Sequence, residues 1–221
     1  MELTWENVDW EEIGLATVDT LTMLGFSTLF TVLIGLPLGI LLFLTSRGQL
    51  LENRVFYSVT SFLVNVLRSV PFIILMIILI PVTKELVGTS LGVRGAIPPL
   101  VIGAAPFFAR LVETSLREVD RGVIEAAQSM GASNWQIIWR VLLPESRPGL
   151  IAGITITTVA LVSYTAMSGV IGGGGLGDLA IRYGYQRFQT DVMIVTVIIL
   201  LVLVQILQTL GDRLVLRFSR K

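Results

Sequence analysis

The stretch DRGVIEAAQSMGASNWQIIWRVLLP, residues 120–144, lies between two long apolar segments and cannot itself enter a bilayer. It carries Asp120, Arg121, Glu125 and Arg140 among further polar side chains, and ionised groups are costly in hydrocarbon. The stretch must therefore sit in water on one side of a membrane. The apolar segments around it then decide how often the chain crosses.

A hydrocarbon core takes about 20 apolar residues of helix. Residues 20–46, 148–177 and 192–211 contain no Asp, Glu, Lys or Arg, and the apolar stretches 55–80 and 95–116 are interrupted only by Arg68 and by Arg110 with Glu113. The whole chain is 53% hydrophobic and 14% charged, with a mean hydropathy of +0.81, well outside the range of soluble domains. The expectation is an all-α integral membrane protein with five transmembrane helices, at about residues 19–45, 55–82, 96–116, 149–170 and 190–216. Residues 1–18 form an acidic extracytoplasmic segment, 19–216 the five-span domain with its loop at 118–148, and 217–221 a basic cytoplasmic tail.

Five spans put the termini on opposite sides. Arg47, Arg54, Arg117, Arg121, Arg140, Arg147, Arg213, Arg217, Arg220 and Lys221 then share one side, against Lys84, Arg94, Arg182 and Arg187 on the other. Cytoplasmic loops collect Lys and Arg, so the N-terminus is expected outside, the C-terminus inside and the 120–144 loop in the cytoplasm. Glu2, Glu6, Asp9, Glu11, Glu12 and Asp19 appear before any Lys or Arg, the reverse of a secretory leader, and no cleaved signal is expected. Cysteine and histidine are both absent, which removes thiol and imidazole ligands and the commonest general base. No metal site and no catalytic residue are expected, and zero formal charge gives nucleic acid no electrostatic footing.

Within the loop, Val123, Ile124, Ala127 and Met130 share a stripe, with Glu125 and Gln128 off it, the pattern of a short amphipathic helix over 122–130. Gly131 stands where a residue just past a helix end takes positive φ. Ser133-Asn134-Trp135-Gln136 fits a capping box that opens a second helix. Trp135, Ile138, Trp139 and Leu142 form its stripe and Pro144 closes it. Periodicity leaves two readings open: a hairpin on lipid headgroups, or a cytoplasmic contact surface.

Gly25, Gly35, Pro37 and Gly39 in the first span read as packing residues. Pro71 predicts a bend near Arg68; that arginine either faces a cavity, where it attracts a carboxylate, or stays at the bend by snorkelling. Arg110 and Glu113, three apart, suggest a local ion pair. In the fourth span Ser163, Tyr164 and Met167 combine polar tips with an adaptable thioether, suited either to helix packing or to lining a path for a small, partly apolar ligand. With Arg68 they are the candidate pathway residues. Residues 172–177 satisfy G-x-G-x-x-G, but they follow a membrane helix and lack the lysine of a phosphate loop. Gly175-Leu176-Gly177-Asp178 resembles the G-x-G-D of intramembrane aspartyl proteases without a second membrane aspartate. A flexible external gate or a re-entrant turn is expected there instead.

Glu125-Ala126-Ala127, Gly131 after three further residues, and Val141-Leu142-Leu143-Pro144 after nine more resemble the Glu-Ala-Ala loop of ABC-importer permeases, with Val141 in place of isoleucine. Arg68-Ser69-Val70-Pro71-Phe72, Gly88-Thr89-Ser90, Gly103-Ala104-Ala105-Pro106-Phe107 and the motifs at 164–167 and 172–177 extend the resemblance, over most of 17–221, to the permease subunits of methionine ABC importers. This resemblance implies a bacterial inner-membrane homodimer in lipid. Two cytoplasmic ABC ATPase subunits would bind the ATP and Mg, and an extracytoplasmic binding protein would deliver the substrate. It further implies that Glu125, Ala126, Ala127, Gly131, Ala132, Leu143 and Pro144 couple the loop to the ATPase, and that the chain is no enzyme. The expected function is inward translocation of methionine or a closely related amino acid by alternating access. Another small substrate of the same importer class, or ATP-independent secondary transport, are the alternatives. The latter needs ion-coupling carboxylates within the spans, where only Glu113, near an end, is available.

Overall fold

Asp9 opens the first helix, α1 (Trp10–Thr45): its carboxylate accepts the N–H groups of Glu11 and Glu12 at 2.9 and 3.2 Å, the geometry of an N-cap. The computed structural model describes residues 7–219, and all regular structure among them is helical. Glu2, Glu6, Arg220 and Lys221, counted above for charge, lie outside the described residues. At 1.5 Å per residue the 36 residues of α1 run for about 54 Å, against a hydrocarbon core of about 30 Å. The helix thus starts well ahead of the first apolar span. Glu11 and Glu12 favour its positive end, and Ile13 and Ala16 in the acidic stretch are buried against Leu176, Leu179 and Val195.

After α1 come α2 (Arg54–Ser69), α3 (Phe72–Ile78) and α4 (Ile80–Val87), then α5 (Gly92–Arg117). The expected bend is present at Pro71, where α2 and α3 meet at 102°. The loop contributes α6 (Arg121–Ser129), α7 (Asn134–Ile137), a π-helical turn (Ile138–Leu142) and α8 (Leu143–Glu145). The chain finishes with α9 (Arg147–Ser168), the short α10 (Gly175–Leu179) and α11 (Thr190–Phe218). Among the described residues α1, α5, α9 and α11 are long and apolar enough to cross a membrane, and the bent α2–α3 pair makes a fifth crossing when counted as one.

The packing centres on α5, which touches α1, α2 and α9. Close approach of α1 to α5 depends on glycine. A Cβ added at Gly39 would stand 2.5 Å from the Ala109 carbonyl oxygen and from Val112 Cβ, so Gly39→Val forces the helices apart. The expected cost is about 1–3 kcal/mol, read as a lower melting temperature of the detergent-solubilised protein. Gly14→Val, at a site with nothing within 4 Å, should melt like the parent.

Candidate functional site

The loop folds by its own short-range chemistry. Asp120 caps α6 by accepting the Gly122 N–H at 2.7 Å. Gly131 takes φ 78°, and the N–H groups of Gly131 and Ala132 return to the carbonyls of Gln128 and Ala127 at 2.9 and 3.1 Å. Ser133 and Gln136 then close the capping box: the Ser133 N–H donates to Gln136 Oε1 at 2.9 Å, and the Gln136 N–H to Ser133 Oγ at 3.3 Å. Helix, turn and helix stand where the spacing put them, except that Pro144 does not close the second helix. The π-helical turn leads straight into α8, which holds Pro144 in its first turn, where a proline costs no hydrogen bond.

Which faces turn inward is partly different. Ile124, Ala127, Ile137, Ile138 and Leu142 are buried in one core with Phe43 and Leu44 of α1 and Phe108, Val112 and Leu116 of α5. Met130, Trp135 and Trp139, placed on the apolar stripes above, are 81%, 67% and 53% exposed, and Val123 is exposed as well. Ile137, at the end of α7, and Ile138 and Leu142, which bound the π-helical turn, face inward, while the two indoles stay outside, 5.4 Å apart and tilted by 60°. Of the Glu-Ala-Ala triplet, Glu125 and Ala126 face solvent while Ala127 belongs to the core. Gly131 is exposed, and Ala132, Leu143 and Pro144 are half-buried.

Glu125 also borders a cavity of about 200 Å³, with Arg121 and Gln128 on one wall and Gly48 and Leu50 of the α1–α2 connection on the other. In that connection the Gly48 N–H and the Arg54 guanidinium, at 2.9 and 3.0 Å, hold the Glu52 carboxyl below its ordinary pKa.

A second cavity, of about 120 Å³, lies inside the bend between α2 and α3 and is lined by Arg68, Phe72, Gly103, Phe107 and Tyr164 among others. Phe72 stacks on Tyr164, with ring centroids 4.3 Å apart and planes 9° from parallel. The Arg68 guanidinium lies over the Phe107 ring at 5.8 Å. The bend thus brings Arg68 and Tyr164 to one cavity, while Ser163 and Met167 sit on the adjoining exposed face of α9. Phe72 and Phe107 were not singled out as lining residues, although both end motifs quoted above.

The glycine run is a packed turn rather than a flexible gate. Gly172, Gly174 and Gly175 take positive φ, Leu176 and Gly177 are buried, and the Leu176 N–H donates to Thr20 Oγ1 at 2.9 Å.

Residues 35–221 match the family of binding-protein-dependent transport system inner membrane components. The chain belongs to that family. It is 52% identical over 212 residues to the probable D-methionine transport system permease protein MetI of Pasteurella multocida, covering 96% of this chain and 98% of the relative. With the methionine import system permease protein MetP of Bacillus subtilis it shares 54% over 211 residues, 96% of this chain and 95% of that one. Its fold is similar to a chain of the MetNI methionine ABC transporter in an inward-facing conformation, with a TM-score of 0.93 at 44% identity over 96% of this chain and 100% of the other. Family membership makes the chain a multi-pass inner-membrane transport subunit and not an enzyme.

One buried group of this permease reaches further than its sequence spacing indicated. Glu113, 4% exposed, accepts Arg110 and Arg117 at 2.6 Å each and the Tyr57 hydroxyl at 3.1 Å. Arg110 continues to the Ser61 carbonyl and Asn65 Oδ1, both at 3.0 Å, and to the Ser61 hydroxyl. The expected local pair is therefore the centre of a network that fastens α2 to α5.

Proposed function

We propose that the chain is the membrane-spanning subunit of an ATP-driven ABC importer that moves methionine, or a closely related amino acid, inward by alternating access. It works as a homodimer, with two ATPase subunits on the cytoplasmic side that hold the ATP and Mg and an extracytoplasmic binding protein that hands over substrate. The N-terminus lies outside and the C-terminus inside, a reading supported by the distribution of Lys and Arg and consistent with five crossings over residues 19–216.

The observation that carries this reading is the apolar core shared by α6, the π-helical turn, α1 and α5. A close-packed interior transmits displacement rather than absorbing it, so a push on the loop moves the spans. In the coupling surface Glu125, Ala126 and Gly131 present side chain and backbone to the ATPase. Ala127 locks α6 to the spans, and Ala132, Leu143 and Pro144 set the angle of the second helix. On the pathway side Arg68 attracts the substrate carboxylate, while Tyr164, Met167 and Ser163 line the apolar part of the route. At about 120 Å³ the bend cavity is smaller than ligand pockets of about 300–1,000 Å³, and the second protomer completes it along the dimer axis.

The test is uptake into proteoliposomes holding the permease with its ATPase, supplied with the binding protein. Methionine should enter only with ATP, and related amino acids should compete in order of likeness. Tyr164→Ala and Met167→Ala should each change half-saturation by about tenfold with the assembly intact, the scale of a lost pocket contact. Unchanged uptake by both variants would remove the pathway assignment, and transport without ATP would overturn the importer reading.

A further inference from the structure

Gly103 stands in the middle of α5, on the wall of the bend cavity and one helical turn from Phe107. Inside a helix glycine is less stable than alanine, so its place there asks for a reason. Gly35 and Gly39 of α1 show one such reason: a Cβ on either would stand 2.9 or 2.5 Å from a carbonyl oxygen of α5, and the two backbones could not approach. Gly103 is different. The three atoms nearest to where its Cβ would stand are Phe72 Cδ2 at 3.2 Å, Leu75 Cδ2 at 3.3 Å and Phe72 Cε2 at 3.4 Å. No backbone atom is among them, and both side chains line the same cavity.

These side chains have little room to yield. Phe72 and Leu75 are buried, and the Phe72 ring is held against Tyr164 in the stack. A methyl group at position 103 would therefore take its space from a cavity of only about 120 Å³. The cavity also differs along α5. At Phe107 the Arg68 guanidinium lies over the ring, whereas at Gly103 the walls are the carbons of Phe72 and Leu75. The two positions, four residues apart in one helix, are separated by about 6 Å along its axis. An unbranched side chain of about four heavy atoms reaches about 5 Å at ordinary bond lengths. A carboxylate held by Arg68 thus puts the end of such a side chain beside Gly103.

We propose that Gly103 is a specificity-determining residue of the translocation path. The space it leaves receives the end of the substrate's side chain and selects amino acids with an apolar side chain up to about four heavy atoms long. The assignment rests on the reading of the chain as an amino-acid importer with the substrate carboxylate on Arg68. The test uses the permease with its ATPase subunits and binding protein in proteoliposomes. Methionine is compared with norvaline, whose unbranched side chain is shorter by a single heavy atom, each at a concentration that saturates the binding protein. In Gly103→Ala the turnover of methionine should fall by about tenfold, the scale of one methyl group in a hydrophobic pocket, while that of norvaline stays within about twofold. The melting temperature should equal that of the wild type or exceed it, since alanine favours the helix.

Equal turnover of methionine by variant and wild type overturns the assignment. A loss shared equally by the two amino acids, or a lower melting temperature, overturns it too and makes Gly103 a packing residue. Norvaline refused by the wild type overturns the length limit, because a space that holds the longer side chain holds the shorter one. If the wild type takes up no methionine with ATP, the importer reading falls and takes this assignment with it, an outcome seen before any variant is made.

Discussion

Replacing Gly131 with leucine is expected to lower ATP-coupled methionine uptake by about tenfold or more while leaving membrane insertion intact. Gly131 has φ 78° and no heavy atom within 4 Å of where a Cβ would stand, so the penalty comes from the backbone and not from a clash. A left-handed conformation costs an ordinary residue about 1–2 kcal/mol, about a factor of 10 in a coupling equilibrium. Leucine also adds apolar bulk to an exposed turn on the proposed ATPase contact. The turn can shed the strain only by changing the angle between α6 and α7, both of which are tied into the core with α1 and α5. Asparagine tolerates the same backbone, so Gly131→Asn should keep most of the uptake. Uptake measured beside co-purification of the ATPase separates the cases, and normal transport by the leucine variant would count against the coupling role.

The contrast between Gly131 and the tryptophans marks what the sequence could carry. Gly131, Ser133 and Gln136 act within a turn whose hydrogen bonds span three to five residues, so their pattern is sufficient to specify the turn. Trp135 and Trp139 fit a helical stripe equally well, but which stripe is buried depends on Phe43, Phe108 and Leu116, far away in the chain. The early start of α1 was readable in principle, since Asp9 with Glu11 and Glu12 is an N-terminal signature. An apolar window overlooks it because the first turns lie outside the bilayer. Pro71 announced the bend but not its 102°, nor the stacking of Phe72 on Tyr164 that the bend permits. For the glycine run the sequence leaves a flexible gate and a re-entrant turn both open, because glycine frees an isolated backbone; in the folded chain its small size admits Thr20 and the α9 backbone at close range, as a packed turn.

The same limit applied to Arg110 and Glu113, and it sets the largest expected effect. Glu113→Ala leaves Arg110 and Arg117 without their shared carboxylate, and removing one partner from a buried ion pair costs about 3–5 kcal/mol. The expected result is a sharp fall in folded permease recovered from membranes and a lower melting temperature for what remains. Glu113→Ala combined with Arg110→Met should recover part of the loss, because the worst-placed orphan charge is gone; a double variant no better than the single would show that the charge was never the problem. The effect should also be local. Val64 is the one residue of α2 that is buried, so α2 is fastened to α5 chiefly through Tyr57, Ser61 and Asn65, all of which reach Glu113 directly or through Arg110. Releasing that network frees the helix that carries Arg68 to the bend cavity. Hydrogen exchange should therefore rise in α2 before it rises in α1 or α5.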